Sequence, residues 1–264
     1  MNGLEAVSAA FTLARSEDHA ALMPYVTLGF PNRKSSLDIV QAISQVGADL
    51  IELGVPFSDP LADGPTIQHS TQTALQQGTT TRGCLEMVSE LRQRGITQPF
   101  FLMGYYNPIL AYGVSRYVTD ACAAGANGLI VPDLPVEEAR DIESACQSQH
   151  LALVYLLAPT STHERAVKVA AHTSGFLYLV SLTGVTGARQ ALDPNLDAFI
   201  RRARQVAHTP MAVGFGISTP EQAREVGKLA DGVIVGSALV AVIAQAAEPA
   251  LAAASFVRSL KAAL

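Results

Sequence analysis

Two acidic residues, Glu52 and Asp63, are the clearest candidates for chemistry in the sequence. They lie in residues 51–65, IELGVPFSDPLADGP, where Glu52 stands among apolar residues and Asp63 follows in a loop marked by Pro and Gly. A glutamate that faces an active-site opening is partly desolvated, which raises its pKa and lets it exchange protons near neutral pH. The alternative is a strand glutamate that points outward and pairs with an arginine. We favour a catalytic pair, with Asp63 on a loop that closes over a substrate.

A group of glycines further along the chain indicates a phosphate site. The residues are Gly214, Phe215 and Gly216 in GFGIS, Gly236 and Ser237 in VIVGSA, and residues 183–187 in TGVTG. Glycine lets backbone N–H groups approach an anion closely. The alternative is that these glycines only end strands for steric reasons. Their combination at the ends of consecutive strands favours phosphate, and because the chain has no Walker motif, a nucleoside triphosphate is not expected.

Eight apolar, β-rich runs alternate with helical segments from end to end. The runs are residues 23–29, 48–54, 99–105, 128–133, 151–159, 175–181, 210–216 and 232–238. Near-continuous apolar runs are typical of strands covered on both faces, as in a parallel sheet. Eight such units predict an α/β fold, a (β/α)8 TIM barrel of one domain over residues 1–264, with an additional short amphipathic helix at the N-terminus. The alternative, an open doubly wound sheet, lacks its GxGxxG fingerprint.

Active sites of such barrels lie where the strands end, so the remaining residues there are candidates for a binding pocket. Side chains at or near strand ends predict an apolar pocket, although core filling is the simpler interpretation for each alone. They are Tyr25, Met103, Tyr105, Ile130, Phe215 and Tyr178. Together with a phosphate site, an apolar pocket near two acids predicts a substrate with a flat apolar head and a phosphorylated tail.

Composition excludes several other classes of function. The chain has 264 residues, a net charge of −5 and no long run of one sign, so it gives no support for binding to nucleic acid or anionic membranes. It shows no transmembrane run and no signal peptide, which predicts a cytoplasmic protein. The three cysteines, Cys84, Cys122 and Cys146, are widely spaced and predict buried free thiols.

Metal and Schiff-base chemistry are also not expected. The six histidines show no metal-ligand spacing such as HExxH, so we predict no metal site. The four lysines are Lys34, Lys168, Lys228 and Lys261, and all lie outside the strand runs. Barrel enzymes that break carbon–carbon bonds often use a Schiff-base lysine as the electron sink. Because no lysine lies within a strand run, that route is not expected here, and proton transfer must supply the electron sink.

The motifs PYVTLG, IELGVPFSDPLADGPTIQ, MGYYNPIL, VPDLPVEE, GVTGAR, GFGIS and GVIVGSA span nearly the whole chain. With these motifs the chain resembles the alpha subunit of tryptophan synthase, and IELGVPFSDPLADGP is the most specific of them. The resemblance implies cleavage of indole-3-glycerol phosphate to indole and glyceraldehyde 3-phosphate. It implies no cofactor in this chain, and a beta subunit that carries pyridoxal phosphate and assembles with it as an alpha2beta2 heterotetramer.

The resemblance also implies roles for individual residues. It assigns the paired acids to Glu52 and Asp63, an active-site position to Tyr178, a mobile loop to Thr186, and the phosphate site to Gly187, Gly214, Gly236 and Ser237. It places Pro56 and Asp59 on the loop that faces the beta subunit, and docking at the barrel mouth adds Asn107 and Pro135. The chain differs from many members at Tyr25, often phenylalanine, at Phe30, often aspartate, and at Leu182, often arginine or serine.

Three other functions stay open on the sequence. One is a stand-alone lyase that releases free indole. Another is a barrel enzyme with a different phosphorylated substrate, such as a sugar-phosphate isomerase. The third is a catalytically silent regulator of a beta partner, against which the presence of both Glu52 and Asp63 argues.

Overall fold

The strands of the protein form one parallel sheet that curves into a barrel. A computed structural model describes residues 2–180, 195–214 and 216–264. The strands are β1 (Ala21–Thr27), β2 (Ile51–Gly54), β3 (Phe100–Met103), β4 (Gly128–Ile130), β5 (Ala152–Val154), β6 (Leu156–Leu157), β7 (Leu177–Val180), β8 (Met211–Gly214) and β9 (Gly232–Val235). Their order in the sheet is β5-β4-β3-β2-β1-β9-β8-β7-β6, with every neighbouring pair parallel.

The predicted TIM barrel is confirmed, with one difference in strand count. Each of the eight apolar runs contains a strand, but the fifth run forms two short strands, β5 and β6, separated only by Tyr155. Strand β5 pairs with β4 and β6 pairs with β7, so the chain through residues 152–157 connects the two ends of the sheet. The ring of strands is therefore nearly closed, and the open doubly wound alternative is wrong.

Twelve helices surround this barrel within the described residues. They are α1 (Gly3–Ser16), α2 (Arg33–Ser44), α3 (Pro65–Gln76), α4 (Thr81–Gln93), α5 (Tyr106–Tyr112), α6 (Val114–Ala124), α7 (Arg140–Gln149), α8 (His163–His172), α9 (Leu196–Arg204), α10 (Pro220–Gly227), α11 (Ser237–Gln245) and α12 (Pro249–Lys261). The helical pattern did not predict α3, α5, α11 or α12. Helix α11, SALVAVIAQ, is short and almost wholly apolar, so it lacks the amphipathic period that identifies a surface helix.

The predicted N-terminal helix closes one end of the barrel. Helix α1 begins with a capping box: the Asn2 side chain accepts from the backbone N–H of Glu5, and the Glu5 side chain accepts from the backbone N–H of Asn2. Its residues Val7, Phe11 and Ala14 pack into the apolar cluster that fills the barrel interior, and Phe11 lies 5.8 Å from Phe176 between ring centroids. Because α1 covers the N-terminal ends of the strands, chemistry is left to their C-terminal ends.

The remaining structural expectations concern cysteines and membrane helices. All three cysteines are free thiols as predicted; Cys84 and Cys146 are buried, while Cys122 is half-buried. None of the described helices combines the length and apolar character needed to cross a bilayer.

Candidate active site

A cavity lies at the C-terminal ends of the strands. It is lined by Tyr25, Glu52, Asp63, Ile67, Met103, Tyr178, Gly216, Ile217, Ile234, Gly236 and Ser237. Eight of these were predicted from the sequence as site residues, and they come from six different strand ends or the loops that follow them. The cavity therefore brings both acids, the tyrosines and two of the glycine motifs to one place.

Glu52 is almost completely buried in the cavity wall. It lies in the middle of β2, in register with Tyr25 of β1 and Phe101 of β3, and only 1% of it is exposed. Its Oε1 atom is buried and has no hydrogen-bond partner within the described part of the chain. Burial, and to a smaller extent the nearby charge of Asp63, raises the pKa of Glu52 to about 8. The outward-facing, arginine-paired alternative is therefore wrong.

Asp63 is held at the end of the loop between β2 and α3. Its backbone N–H donates to the Pro60 carbonyl, and its own carbonyl accepts from the side chain of Gln68 at 2.8 Å. Burial raises the pKa of Asp63 to about 6, and a hydrogen bond from Tyr105 partly offsets that rise. Asp63 thus stays ionised near neutral pH, where Glu52 keeps its proton.

Tyr105 is a contact of Asp63, a role that the sequence did not predict for this strand-end tyrosine. It lies two residues after β3, and its hydroxyl accepts from the backbone N–H of Ala62 at 2.9 Å while it donates to the Asp63 carboxylate. Its ring packs on Phe57 with centroids 5.4 Å apart. The available signal was its position at the end of a strand, in the MGYYNPIL motif.

The two acids have complementary protonation states over about two pH units. With pKa values of about 6 for Asp63 and about 8 for Glu52, the pair carries one proton and one charge between those values. Such a pair offers a general acid and a fixed carboxylate side by side, which is a common arrangement for proton transfer at neutral pH.

The part of the cavity wall formed by Gly216, Gly236 and Ser237 has the features of an anion site. Gly216 adopts a φ of +86°, a conformation that glycine adopts without strain. Helix α11 begins at Ser237, after Gly236 as its N-cap residue, and no side chain caps this N-terminus. Uncapped N–H groups and the helix dipole both favour a bound anion at this position.

Some predicted binding residues occupy other positions. Ile130 is fully buried among the residues of the barrel interior and does not line the cavity. Gly214 does not line it either; a Cβ atom there would lie 2.3 Å from the Tyr178 hydroxyl, so the glycine makes room for that ring. Thr186, Gly187 and Phe215 lie outside the described residues, as does Leu182.

Three apolar residues of the cavity were not predicted: Ile67, Ile217 and Ile234. Ile67 lies in α3, which the sequence pattern missed, and Ile217 lies in the loop after β8. Ile234 points inward from β9, where only its strand-end neighbours were considered. With Met103 and Tyr25 they make much of the wall apolar.

The residues predicted to meet a partner lie on segments that follow β2, β3 and β4: Asp59 in the loop after β2, Asn107 in α5 and Pro135 after β4. Asp59 and Asn107 are exposed, Pro135 is half-buried, and Pro56 is buried. Two large apolar side chains project from the first two of these segments: Leu61 in the loop after β2 is 88% exposed, and Leu110 in α5 is 52% exposed. Single exposed leucines are ordinary in folded proteins.

The cavity offers no obvious ligands for a metal and no lysine. Nowhere in the described ranges do three His, Cys, Asp or Glu side chains converge as metal ligands would. Lysine is likewise missing from the described residues that line the cavity. The chemistry available to these side chains is proton transfer and anion binding.

Comparison with known proteins identifies the family. The model of the tryptophan synthase alpha chain family matches residues 11–263. The tryptophan synthase alpha chain of Chloroflexus aggregans is 52% identical over 234 residues, which cover 89% of this chain and 88% of the relative.

Solved structures agree in fold over the whole chain. The tryptophan synthase subunit alpha from Legionella pneumophila is 37% identical, with a TM-score of 0.91, and covers 100% of this chain and 98% of its own. The tryptophan synthase structure from Mycobacterium tuberculosis is 36% identical, with a TM-score of 0.90, over 97% of each chain. The resemblance seen in the motifs is therefore confirmed, and the chain belongs to the tryptophan synthase alpha chain family.

Proposed function

We propose that this chain cleaves indole-3-glycerol phosphate to indole and glyceraldehyde 3-phosphate, the alpha reaction of tryptophan synthase, with Glu52 and Asp63 as its catalytic residues. Family membership supports the reaction. The observation that carries the assignment of residues is the buried pair itself, in which Glu52 has a pKa of about 8 beside Asp63 with a pKa of about 6. A protonated and an ionised carboxyl in one cavity supply the two roles that the reaction needs.

The reaction must convert a poor leaving group into a good one. The carbon–carbon bond that breaks joins indole C3 to the glycerol chain, and an indole carbanion leaves slowly. In our proposal the neutral Glu52 carboxyl protonates C3, which produces an indolenine whose C=N bond can accept electrons. The Asp63 carboxylate accepts a hydrogen bond from the ring N–H and stabilises its developing positive charge.

The same groups complete the cleavage. The Glu52 carboxylate left by the first step takes the proton of the hydroxyl on the carbon attached to C3. The electrons of that O–H bond form the aldehyde, and those of the broken carbon–carbon bond return to the ring as indole. Glu52 has then lost and regained one proton, so no redox partner or further acid is required. Each such proton transfer contributes typically ~10²–10⁴-fold.

Binding divides between the two walls of the cavity. We assign the phosphate to Gly216, Gly236 and Ser237 at the start of α11, together with Gly187 outside the described residues. We assign the indole ring to the apolar side chains, including Tyr25, Met103 and Tyr178 as predicted. A tail fixed at one wall orients the ring against the acids, which lowers the entropic cost of reaction.

We also propose a beta partner at the rim. The exposed residues Asp59, Leu61, Asn107 and Leu110 lie on the segments that follow β2 and β3, two of the strands that carry cavity residues. Indole is apolar, so transfer to a partner docked there limits its loss to water. The partner, rather than this chain, is expected to carry pyridoxal phosphate, and the complex is expected to be an alpha2beta2 heterotetramer.

The test is release of indole from indole-3-glycerol phosphate, with and without a beta chain. We expect Glu52→Gln and Asp63→Asn each to lower kcat by at least ~10²-fold, while circular dichroism reports an intact fold. Asp141→Asn, an exposed residue on α7, is the matched control and is expected to keep wild-type activity. Wild-type turnover by either acid variant would refute the residue assignment. No indole release by the wild-type chain would refute the reaction, and stimulation by the beta chain separates the synthase from a stand-alone lyase.

A further inference from the structure

Helix α3 begins two residues after Asp63, at Pro65, and packs against β1 and α11. The buried residues of α3 are Ile67, Ser70, Thr71 and Ala74, so all but one are small or polar. A helix with such an inner face gains little from interlocking apolar side chains, and packing alone leaves its register poorly specified.

Buried hydroxyl groups connect this helix to the first strand of the barrel. Oγ1 of Thr27, on β1, lies 2.7 Å from Oγ of Ser70 on α3, and both side chains are buried. Ser70 Oγ also donates to the Ile67 carbonyl at 2.9 Å, in the first turns of α3. On the cavity side, Thr27 Oγ1 lies 3.3 Å from the Tyr25 hydroxyl. We call Tyr25, Thr27 and Ser70 the hydroxyl ladder.

The hydroxyl ladder connects the cavity wall to α3, the helix that follows Asp63. Tyr25 lines the cavity, and its hydroxyl lies so close to β2 that a Cβ atom on Gly54 would approach it to 2.0 Å. At the other end, the Gln68 side chain of α3 donates to the Asp63 carbonyl at 2.8 Å. The start of α3 and the backbone of Asp63 therefore move as one unit, and Ser70 joins that unit to β1.

We propose that the hydroxyl ladder is a positioning device that fixes Asp63 for catalysis by locking α3 to β1, with Thr27 and Ser70 as positioning residues. A hydrogen bond between buried groups is directional, so it specifies the one register of α3 that apolar packing leaves open. Catalytic groups must be held within about 0.5 Å of their productive position by such supporting contacts. The role of Asp63 in this inference rests on the proposed function.

The two hydrogen bonds of the ladder are unequal, which gives an internal test. The Thr27–Ser70 contact is short and connects two elements, whereas the contact between Thr27 and Tyr25 is long and lies within one strand. Loss of the Tyr25 hydroxyl is therefore expected to matter less than loss of the Thr27 hydroxyl.

The experiment compares four variants in the indole-release assay across pH, together with backbone amide exchange. Thr27→Val removes the hydroxyl at nearly constant shape, Thr27→Ser restores it, and Ser70→Ala breaks the same bond from α3. The control is Thr73→Val, because the Thr73 hydroxyl donates only to the His69 carbonyl of its own helix. We expect Thr27→Val and Ser70→Ala to lower kcat about 10- to 100-fold with little change in KM, and Thr27→Ser and Thr73→Val to stay near wild type.

Amide exchange gives a readout that does not depend on turnover. In Thr27→Val and Ser70→Ala the amides of residues 66–70 should exchange faster than in wild type, and in the other two variants they should not. Equal kcat values for Thr27→Val and Thr27→Ser, or an equal loss in Thr73→Val, would overturn the inference. If the wild-type chain releases no indole, the proposed function fails, and unchanged exchange in Thr27→Val would then refute the ladder separately.

Discussion

Tyr105→Phe tests the proposed ionisation of Asp63 by removing a single oxygen atom. That oxygen donates to the Asp63 carboxylate and accepts from the Ala62 N–H at 2.9 Å. The ring contact between Tyr105 and Phe57 does not involve the hydroxyl, so the variant should keep its packing. The main change is therefore the loss of a donor that stabilises the charged form of Asp63.

The size of the effect follows from the strength of such a bond. A hydrogen bond to a charged group is worth about 1.5–3 kcal/mol, which corresponds to about 1–2 pKa units at about 1.4 kcal/mol per unit. The pKa of Asp63 is about 6 in the wild-type chain. In the variant it should rise to between about 7 and about 8. At pH 7 the ionised fraction of Asp63 then falls from about nine-tenths to between about one-half and one-tenth.

The direction of the pH shift distinguishes this mechanism from general damage. Activity requires ionised Asp63 and protonated Glu52, so kcat/KM should be bell-shaped with limbs set by pKa values of about 6 and about 8. Tyr105→Phe should move the acidic limb upward by about 1–2 units and lower the activity at pH 7 about 2- to 10-fold. The assay is kcat/KM for indole release between pH 5 and pH 9.

Tyr112→Phe is the matched control. The Tyr112 hydroxyl also donates to a carboxylate, that of Asp120 at 2.7 Å, but this pair lies outside the cavity. Its pH profile should match that of the wild type. An acidic limb that stays in place in Tyr105→Phe, or one that moves equally in Tyr112→Phe, would show that Tyr105 does not control the ionisation of Asp63.

Two further variants test burial and space in the cavity. Because folding raises the pKa of Glu52 from its unfolded value of 4.5 to about 8, the folded state binds this proton more tightly, and stability falls as pH rises between those values. Glu52→Gln should therefore be inactive yet more resistant to urea than wild type at pH 9, by an amount on the order of 5 kcal/mol, with little difference at pH 4. A less stable variant at pH 9 would contradict this account. Gly214→Ala places a methyl group 2.3 Å from the buried Tyr178 hydroxyl. We therefore expect the free energy of unfolding in urea to fall by about 1–3 kcal/mol and kcat/KM to fall as well. Unchanged values for both would show that Tyr178 can move aside.

Much of the fold was predictable because its signals are local. Apolar runs of strand length, alternating with helical segments, required a parallel sheet, and eight of them indicated a barrel. The break at Tyr155 was not predictable, since the run that contains it is continuously apolar and only pairing with different neighbours divides it into β5 and β6. Helix α11 was missed for the opposite reason: it is buried on most sides and shows no polar face.

The candidate site divides in the same way. Residue type and position at a strand end were enough to select Glu52, Asp63 and the glycines of the predicted phosphate site. The roles of Tyr105 and Ser70 could not be predicted, because they depend on partners distant in sequence. Tyr105 contacts Asp63 across 42 positions, and Ser70 contacts Thr27 across 43.

The sequence by itself determined that this protein is a parallel α/β barrel with two acids and several glycines at one end of its strands. These properties follow from the period of apolar residues and from motifs contained in single segments. Only the tertiary structure decided that Glu52 faces inward, that its pKa lies above that of Asp63, and which side chains hold Asp63 in place. Burial and pKa depend on every chain segment packed around a group, and that environment exists only after the barrel has closed.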